Sequence, residues 1–205
     1  MTSLLTMNSL ATIDWAAYNA SAAGRPARRI VTRAILAAGG EGSGKVALDI
    51  GAGAGADSLE FARRGWTVHA YDIDETLSHR LIENRRMSGE VVFHHADASL
   101  EDSFPRADVI YSSDALPMLG PEGLERAWPR LVDALRPGGI MAVDLFGEQD
   151  TWAERPDVAT LSTAQISSMF SRFQILEREV RDEDGRFFDG KKHWHVITTL
   201  ARKRA

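Results

Sequence analysis

The chain of 205 residues contains no cysteine. That excludes disulfides, thiolate metal sites and a cysteine nucleophile. It also lacks an excess of positive charge: 24 Lys and Arg stand against 29 Asp and Glu, a net charge of −5. Nucleic-acid binders draw much of their affinity from basic patches, so no nucleic-acid partner is expected. No stretch approaches the ~18 apolar residues that suggest a membrane span, so no membrane partner is expected either. The first basic side chain is Arg25, so the start has no basic leader segment, and the expected location is cytoplasmic. Internal repeats and low-complexity tracts are also missing. What is present is 44% hydrophobic and 26% charged, enough for one domain with a sizeable core. The expected assembly is a monomer or homodimer.

Hydrophobic patterning divides the chain into a short helical start and a long α/β alternation. DWAAYNASAA (Asp14–Ala23) and Pro26–Ala38 predict two helices. In the second, Ile30, Val31, Ala34, Ile35 and Ala38 share a face, and Gly39-Gly40 stops it. Strands are expected at Val46–Ile50, Thr67–Ile73, Val91–Asp97, Ala107–Ser113 and Ile140–Phe146. Helices are expected at Asp57–Arg64, Asp74–Met87 and Pro121–Arg136, the last kinked or split at Pro129. After a helix at Ser162–Ser171 the pattern changes. Phe173–Val180 and His193–Lys203 read as two strands joined by a polar loop too short for a helix, hence an antiparallel hairpin. The fold class is therefore α/β: a Rossmann-like three-layer sandwich around a mostly parallel sheet. Residues 1–44 are expected to form an N-terminal helical cap or lid, and residues 45–205 the ligand-binding domain.

The segment ALDIGAGAGADSLEFA (Ala47–Ala62) carries the chemistry. Gly51, Gly53 and Gly55 follow a strand and precede a helix, where glycine admits positive φ and close approach of backbone to a ligand. Gly51-x-Gly53-x-x-Ala56 also fits a dinucleotide fingerprint, with Asp72 about 20 residues on. Charge separates the two ligand classes. A pyrophosphate wants a helix N-terminus free of carboxylates, but Asp49 and Asp57 flank this turn. Carboxylates would instead attract the ammonium and sulfonium of S-adenosylmethionine (SAM). Asp72 can accept two ribose hydroxyls, and Asp97 adds a third carboxylate at the ends of the strands. The bland alternative is a tight turn with Asp57 as a helix cap and Asp97 as a strand-end cap.

VALDIGAGAG, together with Asp72 and HADA (His95–Ala98), resembles the first three motifs of class I SAM-dependent methyltransferases. LRPGG (Leu135–Gly139) resembles the turn before their fifth strand. Within that class, LFGEQDTWAERPDV (Leu145–Val158), KHWHVITTLARK (Lys192–Lys203) and the aromatic DWAAY helix resemble the bacterial tellurite-resistance and thiol methyltransferase branch. The resemblance implies a seven-stranded sheet of order 3-2-1-4-5-7-6 with strand seven antiparallel. It implies SAM as cofactor and S-adenosylhomocysteine (SAH) as product. It implies cofactor contacts from Asp49, Gly51, Ala52, Gly53, Asp72, Ile73, Asp97, Ala98 and Ser112. Asp114 departs from the family, which has an aromatic or small residue there.

Acceptor groups should come from the carboxyl ends of the strands. Asp114 and His193 are the candidate catalytic bases. Trp15, Tyr18, Trp152 and His195 are candidate walls of the acceptor pocket. Each has a structural alternative: a cap for Asp114, packing for the aromatics, hydrogen-bonded strand positions for the histidines. No third ligand accompanies His193 and His195, so no metal is expected. The expected function is methyl transfer to a small-molecule acceptor. The family resemblance and the scarcity of bases lean towards a soft or already ionised acceptor. The alternative is a SAM-binding tailoring enzyme or regulator that does not methylate. An NAD-dependent oxidoreductase fits less well, given Asp49, the antiparallel ending and the absence of a Tyr-x-x-x-Lys pair.

Overall fold

The computed structural model describes residues 13–77, 88–187 and 190–205. Its strands are β1 (Val46–Ile50), β2 (Thr67–Asp72), β3 (Glu90–His95), β4 (Ala107–Ser112), β5 (Leu135–Gly147), β6 (Thr160–Leu161), β7 (Phe173–Phe187) and β8 (Gly190–Lys203). They form one sheet in the order β3-β2-β1-β4-β5-β8-β7, with the two-residue β6 paired to β5 off this path. Pairing is parallel from β3 to β5, and β8 runs antiparallel to both β5 and β7. This is the expected order, with the short β6 shifting the last two numbers.

Helices cover both faces. On one, α2 (Arg29–Ala37) buries Ile30, Val31, Ala34 and Ile35, and α3 (Ala56–Arg63) buries Phe61 and Ala62. They pack with Trp66 against Ala47, Val109, Ile140 and Ala142 of the central strands. On the other, α4 (Gly120–Ala134) and α5 (Thr163–Met169) bring Trp128, Leu131 and Ile166 against Leu48, Ile110 and Met141. Alternate residues of each strand therefore serve opposite layers, as the pleat requires. No helix among the described residues is long and apolar enough to cross a membrane.

Several local readings are corrected. The second helix begins at Arg29, not Pro26, because the Arg28 amide donates to Asp57 Oδ1 at 2.8 Å and stays outside the helix. Helix α4 runs through Pro129 as one element, with buried residues on both sides of the proline. The fifth strand starts at Leu135: that residue pairs with Ala107, then a register shift lets Ile140 meet Val109. The helix expected at Asp74–Met87 lies outside the described residues from position 78 onward. The polar segment after Val180 is strand, not loop. Register continues through Arg181↔Val196 and Gly185↔Lys192 to Phe187↔Gly190. Polar composition suggested a loop, but β7 is a sheet edge with mostly exposed side chains, so alternation could not reveal it.

The hairpin is anchored near its turn by a buried ion pair. Lys192, with a side chain 1% exposed, pairs with the buried Asp150. Asp150 also accepts the amides of Trp152 (2.9 Å) and His195 (3.1 Å). The ammonium lies 4.0 Å from the Trp152 ring centre and 4.3 Å from that of Trp194. A buried ion is tolerable only with such partners. The anchoring carries the far end of β7 back over the carboxyl ends of the parallel strands.

Candidate active site

The turn after β1 is held by the neighbouring strand. The Gly51 and Ala52 amides donate to the Tyr71 carbonyl at 2.8 and 3.1 Å, and the Gly53 amide donates to Asp72 Oδ2 at 2.7 Å. Gly51 and Gly53 both have positive φ, 75° and 57°. A side chain at Gly51 would place its Cβ 2.1 Å from the Ala115 Cβ, and one at Gly53 would meet Asn19 Oδ1 at 3.0 Å. Only bare backbone fits between these walls, which leaves the loop's surface open to a ligand.

One cavity of about 250 Å³ runs along this edge. Its first half is lined by Gly51, Ala52, Gly53, Asp72, Ile73, Asp97 and Ala98. Asp72 accepts the Asp74 amide on Oδ1 at 2.8 Å as well as the Gly53 amide, and burial raises its pKa. The Ile73 amide also donates to this carboxylate, which keeps lone-pair capacity for a ligand hydroxyl. Ile73 is 54% exposed and offers an apolar surface beside that carboxylate. Asp97 accepts the Ser99 amide at 2.8 Å, so it caps a turn and faces the cavity at once.

Asp49 lies behind the glycine turn, 1% exposed. Its Oδ2 accepts the Ser58 hydroxyl at 2.6 Å, while Oδ1 has no hydrogen-bond partner among the described residues. Burial, reinforced by the charge of Asp57, pushes its carboxyl up to about 7. Asp49 does not itself line the cavity, so it would act on a cationic group there through its field and not by contact. Asp57 does not contribute as its position in sequence suggested. Arg25 Nη2 (2.5 Å), Arg28 Nη1 (2.9 Å) and the Tyr111 hydroxyl (2.9 Å) already engage it. Its pKa stays low because these partners outweigh the opposing effect of burial, which is the largest single influence.

The second half of the cavity holds Asp114 and aromatic rings. Asp114 adopts φ 58°, the one described residue other than glycine with positive φ. Such a backbone costs of order 1–3 kcal/mol and persists only where its surroundings impose it. Its carboxylate is 3.7 Å from Arg28 Nη2. Burial and the charge of Asp144 raise it to about 6, against the opposing field of Arg28. Its side chain retains a third of its accessibility, and that access opens into the cavity. Asp144 is held beneath by Ser113 Oγ (2.6 Å) and Thr198 Oγ1 (2.5 Å). Trp15, Tyr18 and Trp152 line this half, as do Trp194, Phe187 and Met118.

Besides Asp49, which sits buried behind the turn and does not line the cavity, three sequence candidates lie elsewhere. Ser112 is buried and donates its hydroxyl to the Ile50 carbonyl at 2.9 Å, tying β4 to β1; its neighbour Ser113 lines the cavity instead. His193 is outside the cavity, its ring nitrogens at 2.7 Å from Asp184 and 2.9 Å from Asp182 across the hairpin. Those carboxylates raise its pKa. His195 covers Gly147, where a Cβ would come within 2.2 Å of the ring, and its Nδ1 accepts the Gln149 amide at 3.2 Å. The pleat does place the two histidines on one face, but that face does not meet the cavity. Conversely, Asn19, Arg28, Phe187 and Trp194 line the cavity without having been singled out. Arg28 could have been suspected from the carboxylate pair it serves. Phe187 had no signal, being placed by the unrecognised length of β7.

Residues 47–139 match the family described as "Methyltransferase domain". No curated protein matches the chain. Among solved structures, TehB from Haemophilus influenzae is similar with a TM-score of 0.69 and 18% identity, over 85% of this chain and 61% of that one. The N-methyltransferase NodS from Bradyrhizobium japonicum WM9, in complex with SAH, gives 0.67 and 17%, over 86% and 85%. The Burkholderia thailandensis 1,6-didemethyltoxoflavin-N1-methyltransferase, with its acceptor and SAH bound, gives 0.64 and 20%, over 87% and 78%. Residues 47–139 are thus similar to a methyltransferase domain, and the chain has the fold of class I SAM-dependent methyltransferases.

The buried Asp49 oxygen, the bare glycine turn and the free lone pairs of Asp72 fit SAM or SAH better than a dinucleotide. The titration of Asp49 gives this a readout. An ammonium held within the field of Asp49 would favour the ionised carboxylate, so protonation of Asp49 in the free protein would then weaken binding. SAH affinity measured by calorimetry is expected to rise with pH and level off above about 7. In Asp49→Asn the rise should vanish. A pH-independent affinity in the unmodified protein would separate Asp49 from the ligand.

Proposed function

We propose that this methyltransferase domain carries a methyl group from SAM to a small-molecule acceptor in the cytoplasm and releases SAH, with Asp114 as the proton acceptor. The observation that carries this reading is one continuous cleft, running from the glycine turn to Asp114. Bound SAM supplies an electrophilic methyl carbon on a sulfonium: the acceptor's lone pair bonds to that carbon as its bond to sulfur breaks and the electron pair stays on sulfur. The NodS and toxoflavin N-methyltransferase structures, both holding SAH, support the choice of cofactor.

The chain's own residues then have distinct tasks. Gly51, Ala52 and Gly53 present backbone to the ligand. Asp72 takes the ribose hydroxyls, Asp97 and Ala98 line the base side, and Ile73 covers it. Asp49 supplies the negative field. Positioning two reactants in this way can provide roughly 7–11 kcal/mol of the barrier. Asp114 takes a proton from the acceptor. A carboxyl raised to about 6 is ionised at neutral pH yet more basic than an ordinary aspartate. This moves the balance away from the soft acceptor to which the sequence leaned.

The described part of the N-terminal segment, residues 13–44, acts as a lid in this reading. Helix α1 (Trp15–Ser21) is capped by Asp14 and reaches the core through Asn19, whose Nδ2 donates to Asp74 Oδ2 at 3.0 Å. Tyr18 stacks on Phe187 with ring centres 5.3 Å apart. These contacts close the cavity from above and exclude water from the reacting atoms.

Two experiments test these roles. With a hydroxyl acceptor, Asp114→Asn should lower turnover on the order of 10²–10⁴-fold while SAH affinity holds. The unmodified enzyme should lose activity as pH falls through about 6, and the variant should lose that limb. A loss under about tenfold, ~1.4 kcal/mol in the barrier, would leave Asp114 an orienting group. Deleting residues 1–24 should abolish turnover while cooperative unfolding persists. Full activity in that truncation would refute the lid.

A further inference from the structure

The acceptor half of the cavity has more ring surface than a small thiol or aliphatic group can use. Five rings reach it from four parts of the chain: Trp15 and Tyr18 from α1, Trp152 from the turn after β5, Phe187 from β7 and Trp194 from β8. They are continuous. Tyr18 stacks on Phe187; Phe187 meets Trp152 edge-on at 4.7 Å and Trp194 at 6.0 Å. Four of the five thus form one connected wall, with Trp15 joined to it through Tyr18 at 5.9 Å.

The electrostatics of the wall narrow the ligand further. Lys192 sits 4.0 and 4.3 Å from the Trp152 and Trp194 ring centres, and Arg181 sits 4.3 Å from that of Trp194. Lys192 is closed off from the cavity by burial and by Asp150. Ring faces already engaged by resident cations have less to offer a cationic acceptor, whereas an electron-rich or anionic ring is favoured. Arg28, which also lines the cavity, adds positive charge beside Asp114. Among the described lining residues of this half, Asp114 is the one carboxylate.

Resting on the methyl-transfer reading above, we infer that the acceptor is a planar aromatic or heteroaromatic molecule with an ionisable hydroxyl, lying against the Tyr18–Phe187–Trp152–Trp194 wall with that hydroxyl at Asp114. The hydroxyl proton passes to Asp114 as the oxygen bonds to the methyl carbon. The carbon–sulfur bond breaks, its electron pair stays on sulfur, and the products are an aryl methyl ether and SAH. Asp114 returns its proton to water. Arg28 stabilises the oxyanion that forms along the way.

The test uses the whole chain saturated with SAH, two probes of like size and tryptophan fluorescence as readout. 2-Naphthol should bind saturably, quench emission and bind at least tenfold more tightly than its saturated counterpart, decahydro-2-naphthol. Phe187→Leu keeps an apolar side chain but removes a ring from the wall. It should weaken 2-naphthol at least fivefold and leave decahydro-2-naphthol and SAH unaffected. Equal binding of the two probes, or no binding of 2-naphthol to the SAH complex, would overturn the aromatic assignment and leave methyl transfer standing. Failure of SAH itself to bind would remove the methyl-transfer reading and this one with it. The comparison of probes on the unmodified protein needs no variant to fold.

Discussion

The ion cluster around Asp57 is the interaction on which the site depends. Asp57 is 2% exposed at the start of α3 and receives Arg25, Arg28 and the Tyr111 hydroxyl. Three parts of the chain meet there: the segment between α1 and α2, the helix that follows the glycine turn, and the end of β4. Removing one member of a buried charge cluster typically costs on the order of 3–5 kcal/mol, less where the remaining charges reach water. Both arginines do reach it in part. The cluster also sets charge at a distance. It holds Arg28 beside Asp114, and its carboxylate helps keep the neighbouring Asp49 proton-binding near neutrality.

From this follows a division of labour along one sheet edge. The half of the cleft near β1 and β2 is made of backbone and carboxylates, rigidly hydrogen-bonded to the sheet. The half near β4, β7 and β8 is made of rings and one strained aspartate. The first suits a ligand with hydroxyls and a cationic group. The second is built largely by side chains from α1 and the hairpin, so it can vary without disturbing the glycine turn. This is the usual arrangement in open α/β sheets, where ligands sit outside the carboxyl ends of the strands.

How much could be read from the sequence followed from which forces are local. Buried parallel strands announce themselves as apolar runs, so VALDI and IMAVDLF placed the sheet's centre, while its order came from the family resemblance. The glycine turn was legible because positive φ leaves a compositional trace at Gly51 and Gly53. Asp114 was legible because it stands directly after a strand. The register of β7 was not: its residues are exposed and charged, so neither alternation nor hydropathy distinguishes strand from loop there, and Phe187 went unplaced with it. His193 and His195 were assigned to the site from the direction of their strand alone. The direction was right, but the face they occupy is taken up by Asp182, Asp184 and Gly147. Ser112 and Ser113 show the same limit. One residue of phase decides which points into the cleft, and the sequence does not fix that phase.

The claim that organises this account is that the cleft beside Asp49 and Asp72 holds an S-adenosyl ligand and not a dinucleotide. Isothermal titration of SAH and of NAD⁺ into the unmodified protein and into Asp72→Ala tests it most directly. The account predicts micromolar SAH binding and NAD⁺ weaker by on the order of a hundredfold, a difference of ~2.7 kcal/mol. In Asp72→Ala it predicts SAH weakened by about 1.5–3 kcal/mol for each charged hydrogen bond lost. NAD⁺ binding as tightly as SAH, or SAH affinity unchanged in Asp72→Ala, would contradict it.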